Sequence, residues 1–255
     1  MQVMPQIIYE DEALLILDKP WGVTVNKSQT TLPGETLQDW IEQYLKVPRV
    51  PQASTTRDTR GTFDTHDAFL SRVGIVHRLD KETSGVIVVA KTEQAFIELQ
   101  RQFKQRMVKK QYVALAHGKI EPEEGSISVP IGRLPWNRTH FGVVAGGREA
   151  LTTYKVVRNK YRGEESKKEV LSLVDLYPHT GRTHQIRVHL KHIGHPIVSD
   201  DLYAGRKTAR NDRKNLNRLF LHAKQIQFFH PTTGKEVVFF CPLPQSLDSY
   251  LQSLA

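Results

Sequence analysis

The chain has 255 residues, of which 39% are hydrophobic and 25% charged, with 36 Lys+Arg against 27 Asp+Glu. This composition is that of an ordinary globular protein and excludes collagen, coiled coils and wholesale disorder. The single Cys241 cannot form an intramolecular disulfide, and the sequence opens without the features of a secretory signal. The sequence also lacks an apolar stretch of the roughly 18 residues that a membrane span requires. We therefore expect a soluble, cytoplasmic protein.

The basic charge is concentrated in the later part of the chain. Residues 1–70 carry 6 basic and 10 acidic side chains, whereas residues 71–255 carry 30 and 17. Such an excess suits a polyanion, because each phosphate that a cation neutralises releases condensed counterions. A charged surface that merely keeps the protein in solution is the alternative, and charge alone does not separate the two.

The first quarter of the chain predicts two strands, a helix and a loop. Two short strands are predicted at residues 7–9 and 14–17, around an acidic turn, and KPWG ends the second strand. A short helix is predicted over residues 36–44, with its apolar residues on one face. Residues 47–72 are rich in Pro, Ser, Thr, Arg and Asp, which indicates a surface loop or insertion.

The segment GIVHRLDKETSGVIVVAK at 74–91 places Asp80 in a polar turn before a buried strand at 86–90. Thr92 is predicted to cap the helix that follows. The later elements are predicted as strands at 112–117, 151–157 and 170–177, a loop-rich connection at 130–147, and two strands within 219–243.

The turn TGRT at 180–183 is predicted to lead, with a helix cap, into a helix that ends at Gly194. On this helix His184, Arg187 and Lys191 are spaced so that they share one face, and together they can point at an anion. The segment also contains further histidines at 189, 192 and 195. A metal site is the minority interpretation, because the basic neighbours oppose a cation.

Asp80 is the carboxylate that the sequence singles out, because Arg78 and Lys81 flank it and a buried strand follows. Its alternative is a turn-forming aspartate that accepts hydrogen bonds from nearby backbone amides. The sequence has neither a Walker nor a dinucleotide glycine loop, so nucleotide chemistry lacks its usual binding device.

Three stretches, in order, resemble the catalytic motifs of the RluA family of RNA pseudouridine synthases. They are HRLDKETSG at 77–85, FKQRMVKKQYVALAHG at 103–118 and HTGRTHQIRVHLKHIGHPIVSDDLYAG at 179–205. The segments LLILDKPWGVTV at 14–25 and LHAKQIQFFHPTTGKEVVFFCPLP at 221–244 are also similar to that family. The resemblance covers nearly the whole chain except roughly residues 47–72, and three ordered motifs of this length are specific.

The resemblance implies an α+β fold: one pseudouridine synthase catalytic domain over residues 1–255, with a long mixed, mostly antiparallel sheet and flanking helices. It implies that Asp80 is the catalytic aspartate, that Tyr112 packs beside the target base, and that Arg187 pairs with the aspartate. The side chains expected to contact RNA are Arg78, which would assist base flipping, and Arg182, His184 and Lys191. Because family members often begin with a separate RNA-binding domain and this sequence starts at the catalytic sheet, target selection is expected to rest on the catalytic domain.

Pseudouridylation breaks the bond between ribose and a uracil nitrogen, turns the base and rejoins the ribose to carbon 5. Because nothing is oxidised or added, no ATP, metal or nicotinamide is expected as a cofactor. The reaction requires at least one ionised carboxylate, which acts as nucleophile at the ribose, as base at the 2′ position, or as nucleophile at the uracil. The sequence leaves these three routes open.

The sequence therefore predicts an enzyme that isomerises uridine in structured RNA, in a ribosomal or transfer RNA stem-loop, with no membrane and no obligatory protein partner. A non-catalytic RNA-binding or chaperone protein that retains the fold is the alternative, and the presence of Asp80, Tyr112 and Arg187 argues against it. A third hypothesis, an RNA glycosidase or nuclease, predicts released base or cut chains.

Overall fold

The computed structural model describes residues 4–28, 31–32, 34–46, 65–135, 137–163 and 168–255. The chain divides into two compact units. The first comprises Met1–Val108 with Ile226–Cys241, and the second comprises Lys109–Gln225 with Pro242–Ala255. The single catalytic domain over residues 1–255 stays a prediction.

The strands are β1 (Gln6–Glu10), β2 (Leu14–Lys19), β3 (Ser84–Ala90), β4 (Lys109–His117), β5 (Glu124–Ser128), β6 (Ile131–Leu134), β7 (Asn137–Val143), β8 (Leu151–Arg162), β9 (Glu169–Pro178), β10 (Leu221–Phe229) and β11 (Glu236–Phe240). The helices are α1 (Leu37–Leu45), α2 (Thr65–Arg72), α3 (Glu93–Lys104), α4 (Gln185–His192), α5 (Arg206–Asp212) and α6 (Gln245–Gln252).

In the first unit, β1, β2 and β3 pair antiparallel in that order, and β10 lies beside β3 and pairs with β11. All seven residues of β3 are buried. An alternating pattern is absent from this strand because both faces of the sheet are covered. The predicted cap of α3 is confirmed, since the Thr92 side chain accepts a hydrogen bond from the Ala95 N–H.

Part of the predicted loop at 47–72 is helical. Residues 47–64 lie outside the described residues, but Thr65–Arg72 form α2, so the loop prediction is wrong there. The Phe69 ring packs edge-on against Phe96 of α3, with ring centroids 5.7 Å apart, and the His66 ring lies 2.9 Å from the Glu93 carboxylate. These contacts with α3 favour the helix, and local composition does not reveal them.

In the second unit, neighbouring strands follow the order β10, β4, β9, β8 and β5, with β4, β9, β8 and β5 antiparallel to one another. Apolar side chains from β4, β8, β9, α4 and α6 form one buried cluster. Strand β10 runs through both units, with residues 221–225 in the second and 226–229 in the first.

The predicted loop at 130–147 instead contains a hairpin of β6 and β7. Gly132 faces Gly142 in this hairpin, and a Cβ at position 142 would lie 2.6 Å from the Leu134 side chain. Glycine lowers the apparent strand propensity of the segment, yet here it provides the space that the hairpin packing requires.

The predicted α+β class, with a mixed, mostly antiparallel sheet and flanking helices, is confirmed. Among the helices of the described residues, none combines the length and the apolar character needed to cross a bilayer.

Candidate active site

The predicted site residues divide between the two units. Asp80 and Arg78 belong to the first unit, whereas Tyr112 and the basic residues in and around α4 belong to the second.

The segment that leads to Asp80 runs beside β3 and is held against it. The Gly74 carbonyl accepts a hydrogen bond from Ala90 (2.9 Å), and a Cβ at position 74 would lie 1.9 Å from the Ala90 oxygen. With φ at +73°, this close approach requires glycine. Further along, the His77 Nε2 atom accepts a hydrogen bond from the Val88 N–H (2.9 Å), and the imidazole stacks on Phe103. These contacts fix the start of the turn.

Asp80 lies at the turn itself and is half-buried, between buried Leu79 and exposed Lys81. The Thr83 N–H donates to the Asp80 backbone carbonyl (3.1 Å), so main-chain groups close the turn. The described part of this unit places no hydrogen-bond donor on the Asp80 carboxylate. The interpretation of Asp80 as a turn-forming aspartate bonded to backbone amides therefore gains no support. The hydrogen bonds that form the turn do not use the carboxylate.

A buried lysine ties the Asp80 turn to the loop after β2. The Nζ atom of Lys19, whose side chain is fully buried, donates to the carbonyls of Pro20 (2.8 Å), Val23 (2.9 Å) and Lys81 (3.3 Å). The Gly22 N–H also donates to the Lys81 carbonyl (2.8 Å). The sequence indicated only that KPWG ends a strand, so this fastening role was missed.

In the second unit, Tyr112 lies on β4 opposite Leu176 of β9 and is half-buried against the apolar cluster. Lys110, two residues earlier, is on the same face of the strand. Its Nζ atom lies 3.5 Å from the Thr180 carbonyl, and burial lowers the pKa of this amine to about 8.

The loop before α4 is locked by two polar side chains. The Thr180 hydroxyl donates to the Gln185 side chain (2.7 Å) and accepts from the Leu151 N–H (3.0 Å). The Gln185 amide oxygen also accepts from the Arg182 N–H (3.0 Å). The N-cap is His184, in the left-handed region with φ at 55°, one residue after the predicted turn and without a side-chain capping bond. The predicted side-chain cap in the 180–183 turn is therefore wrong, and the hydrogen bonds to Gln185 hold the loop before the helix.

Arg187 forms a buried ion pair with Asp200. Its Nε and Nη2 atoms donate to the two carboxylate oxygens at 2.8 and 2.7 Å, and the two side chains are 4% and 0% exposed. The Asp200 carboxylate also accepts from the N–H groups of Leu202 (3.0 Å) and Tyr203 (3.1 Å). A guanidinium carries five N–H donors, of which this pair uses two. The pairing of Arg187 with Asp80 that the resemblance implies stays a prediction.

The predicted common face of His184, Arg187 and Lys191 is confirmed, because all three contact Tyr203. The Arg187 guanidinium lies 5.0 Å from the centre of the Tyr203 ring, and the Lys191 Nζ lies 5.7 Å from it. The His184 Nδ1 atom and the Tyr203 hydroxyl are joined at 2.8 Å. Cations held over an aromatic ring are oriented as well as attracted.

The other predicted RNA contacts differ in their surroundings. Arg78 is exposed beside Asp80. Arg182 is half-buried, and its Nε atom donates to the Glu149 carbonyl (3.0 Å). Asp200 and Tyr203 were not predicted as site residues, although they lie inside the third motif at 179–205.

Two of the other histidines in this segment bind the protein itself. His189 is buried and its Nδ1 atom lies 3.0 Å from the Thr152 hydroxyl; burial lowers its pKa to about 4. The His195 Nδ1 atom lies 2.8 Å from the His117 carbonyl. Within the described ranges, the structure shows no group of three His, Cys, Asp or Glu side chains that could hold a metal ion.

Residues 13–192, which include Asp80, Tyr112 and Arg187, match the RNA pseudouridylate synthase family. The chain belongs to the RNA pseudouridylate synthase family. It is 37% identical over 253 residues to the protein named Ribosomal large subunit pseudouridine synthase D of Nitrosomonas europaea, covering 98% of this chain and 65% of that one. It is 36% identical over 241 residues to Uncharacterized RNA pseudouridine synthase YhcT of Bacillus subtilis, covering 94% and 69%.

A solved structure agrees with this assignment. Human RNA Pseudouridylate Synthase Domain Containing 1 is 30% identical to the chain and superposes with a TM-score of 0.69, covering 96% of this chain and 87% of that chain. The chain spans about two thirds of the length of the curated relatives named above. The family predicted from the three motifs is confirmed.

Proposed function

We propose that this chain isomerises uridine to pseudouridine in RNA, with Asp80 as the catalytic aspartate. One observation carries the proposal: in a chain of this family, the Asp80 carboxylate lies on a fixed turn and takes no part in holding that turn together. Asp80 sits on a turn that Gly74, His77 and Lys19 hold in place, and its carboxylate is not used to close that turn. A carboxylate that is held in place without being used to close its own turn is what a nucleophile or base requires.

The proposed reaction breaks the bond between ribose C1′ and uracil N1 and forms a bond between C1′ and C5. The proton on C5 is lost and a proton is gained at N1, so atoms and electrons balance without an oxidant. The target uridine has to leave its stack to reach a carboxylate, and an aromatic ring can hold the flipped base. In this proposal Tyr112 supplies the ring and Arg187 pairs with the aspartate.

The proposed RNA contacts are the basic groups near these residues, namely Arg78, Arg182, His184 and Lys191. Ribosomal RNA is the favoured substrate, because the relative of Nitrosomonas europaea is named for the large ribosomal subunit. A transfer RNA stem-loop is the second possibility that the test has to separate. We propose that the chain acts in the cytoplasm and without an obligatory protein partner.

The direct test maps pseudouridine chemically in cellular RNA from cells with and without this gene, and again after complementation with wild type or Asp80→Asn. We expect one or more ribosomal positions to lose pseudouridine without the gene and to regain it with wild type alone. If the position that loses pseudouridine lies in transfer RNA instead, the substrate is transfer RNA and the proposed reaction stands. An unchanged map in both RNA classes, combined with no modification of either RNA by the purified protein, overturns the proposal.

The same protein tests the cofactor expectation. Because the isomerisation is redox-neutral and adds no group, purified protein should modify a pre-folded stem-loop, stable in monovalent salt, in buffer with EDTA and without nucleotide. Loss of activity that only a tightly bound transition metal restores would contradict this and would bring back the histidine segment as a metal site.

A further inference from the structure

We propose that the exposed surface of α5 binds the sugar-phosphate backbone of the RNA substrate beside the target nucleotide. We call this the α5 surface, defined by Arg206, Lys207, Arg210 and Lys214. The proposal rests on the proposed function, since it names a further part of the chain that holds the same substrate.

The outward charge of the α5 surface is not neutralised within its own segment. Its four cations are exposed, three on the helix and Lys214 just after it. Between residues 205 and 218 the sequence contains one acidic residue, Asp212, and its side chain is fully buried. A nearby acidic residue outside this range, Asp201, forms an ion pair with Arg213 (2.6 Å).

Asp212 turns inward and fixes the helix. Its carboxylate lies 2.9 Å from the His117 ring, accepts from Arg162 at 2.8 Å, and accepts from the Ser199 N–H at 2.9 Å. Burial opposes the charge on Asp212, but these partners hold its pKa below the usual value. Ala209 of the helix is buried as well. The segment therefore has an anchored inner face and a cationic outer face, which is the arrangement of a preformed anion-binding surface.

The α5 surface begins close to Arg187. Gly205, the N-cap of α5, follows Tyr203 by two residues, and the Arg187 guanidinium lies over the Tyr203 ring. Three residues of chain span at most about 11 Å. Lys191, a proposed RNA contact, is exposed and lies over the same Tyr203 ring, so RNA held at Lys191 has its neighbouring phosphates within reach of Arg206 and Lys207.

The residue types favour phosphate contacts over base reading. Lys and Arg side chains give a protein affinity for nucleic acid by contacting its phosphates, and amide side chains bind phosphate and sugar oxygens. The amides here are Asn211 and Asn215, which are exposed beside the cations. This part of the chain exposes no aromatic side chain on which a base could stack. The α5 surface should therefore add affinity without adding sequence preference.

The test compares two triple variants that remove the same charge. The first is Arg206→Gln, Lys207→Gln and Arg210→Gln. The matched control is Lys119→Gln, Lys155→Gln and Lys235→Gln, three positions that are also exposed. Binding of a stem-loop that contains the target uridine is measured across a salt series, and the single-turnover rate of pseudouridine formation is measured at saturating RNA.

We expect the α5 variant to bind about tenfold or more weakly at about 0.1 M salt, and the slope of log affinity against log salt to fall by about 2. Its rate at saturating RNA should equal that of wild type, and the control should bind within about twofold of wild type. Equal binding by the α5 variant and the control overturns the proposal. Wild type that binds the RNA but forms no pseudouridine overturns the proposed function instead, so the two failures are distinguishable.

Discussion

The guanidinium of Arg187 and the carboxylate of Asp200 meet edge to edge inside the second unit, joined by two hydrogen bonds of 2.8 and 2.7 Å. Bidentate pairs of this kind fix the plane of a guanidinium as well as its position. If Arg187 acts on Asp80 or on the substrate, Asp200 is the residue that positions it.

Asp200→Asn is expected to lower the single-turnover rate at saturating RNA by about 100-fold, because misplacing a catalytic group by about 1 Å has an effect of that size. RNA affinity should change little, since Asp200 is buried. Circular dichroism below the unfolding transition checks that the variant is folded. Asp201→Asn is the control, because that side chain is 59% exposed and pairs with Arg213 instead. A folded Asp200→Asn variant with a wild-type rate would show that the pair serves stability alone.

Arg187→Lys is expected to impair the reaction severely, since an ammonium on a flexible stem cannot reproduce a bidentate pair. The measurement separates two roles. A fall in the rate at saturating RNA places Arg187 beside the reacting groups. Weaker RNA binding with a normal rate at saturation would instead make Arg187 a phosphate contact.

Lys19→Met tests the anchor of the Asp80 turn. It removes the donor from three carbonyls, of which that of Lys81 keeps the Gly22 N–H, and losing a hydrogen bond to a charged group costs about 1.5–3 kcal/mol in the free energy of unfolding. Urea denaturation measures this loss, and we expect the rate of pseudouridine formation to fall with it because Lys81 adjoins Asp80. Lys104→Met, at an exposed position of α3, should change stability by less than about 0.5 kcal/mol. Equal stability of both variants would argue against the anchor.

His117 makes the stability of the second unit depend on pH. Burial disfavours its charged form, but contacts with Asp212 (2.9 Å) and Glu169 (2.7 Å) outweigh burial and raise its pKa. A raised pKa in the folded state means that the stabilisation is complete below the unfolded pKa, about 6.5, and is lost as pH rises through the folded value.

Urea denaturation across this pH range is therefore expected to show wild type losing stability relative to His117→Gln as pH rises. A difference between the two proteins that stays constant across the range would mean that His117 does not titrate between these carboxylates.

Much of the fold followed from local patterns in the sequence. The buried run of β3, the cap at Thr92 and the face shared by Arg187 and Lys191 are set by residues within one or two turns of each other, so periodicity reveals them. Helix α2 was missed because its contacts are with α3, and the hairpin of β6 and β7 because its glycines mask a strand pattern.

The site residues that belong to a recognisable motif were predictable from the sequence. The residues that hold them in place through long-range contacts were not. Asp200 lies 13 residues from Arg187, beyond the end of α4, and Lys19 reaches a carbonyl 62 residues away. Spacing rules apply within one helix or strand, so neither contact had a signal in the sequence. The resemblance supplied the site residues without the residues that hold them.

The central claim is that the Asp80 carboxylate drives isomerisation of uridine. Its most direct test follows tritium release from a stem-loop labelled at C5 of uridine, because that proton is lost when C5 becomes bonded to the ribose. Wild type and Asp80→Asn are compared at saturating RNA, with RNA binding measured in parallel. We predict release by wild type and none by Asp80→Asn, at equal RNA affinity, since the amide keeps the shape and loses only the charge. Release by Asp80→Asn at a rate close to that of wild type would contradict the account.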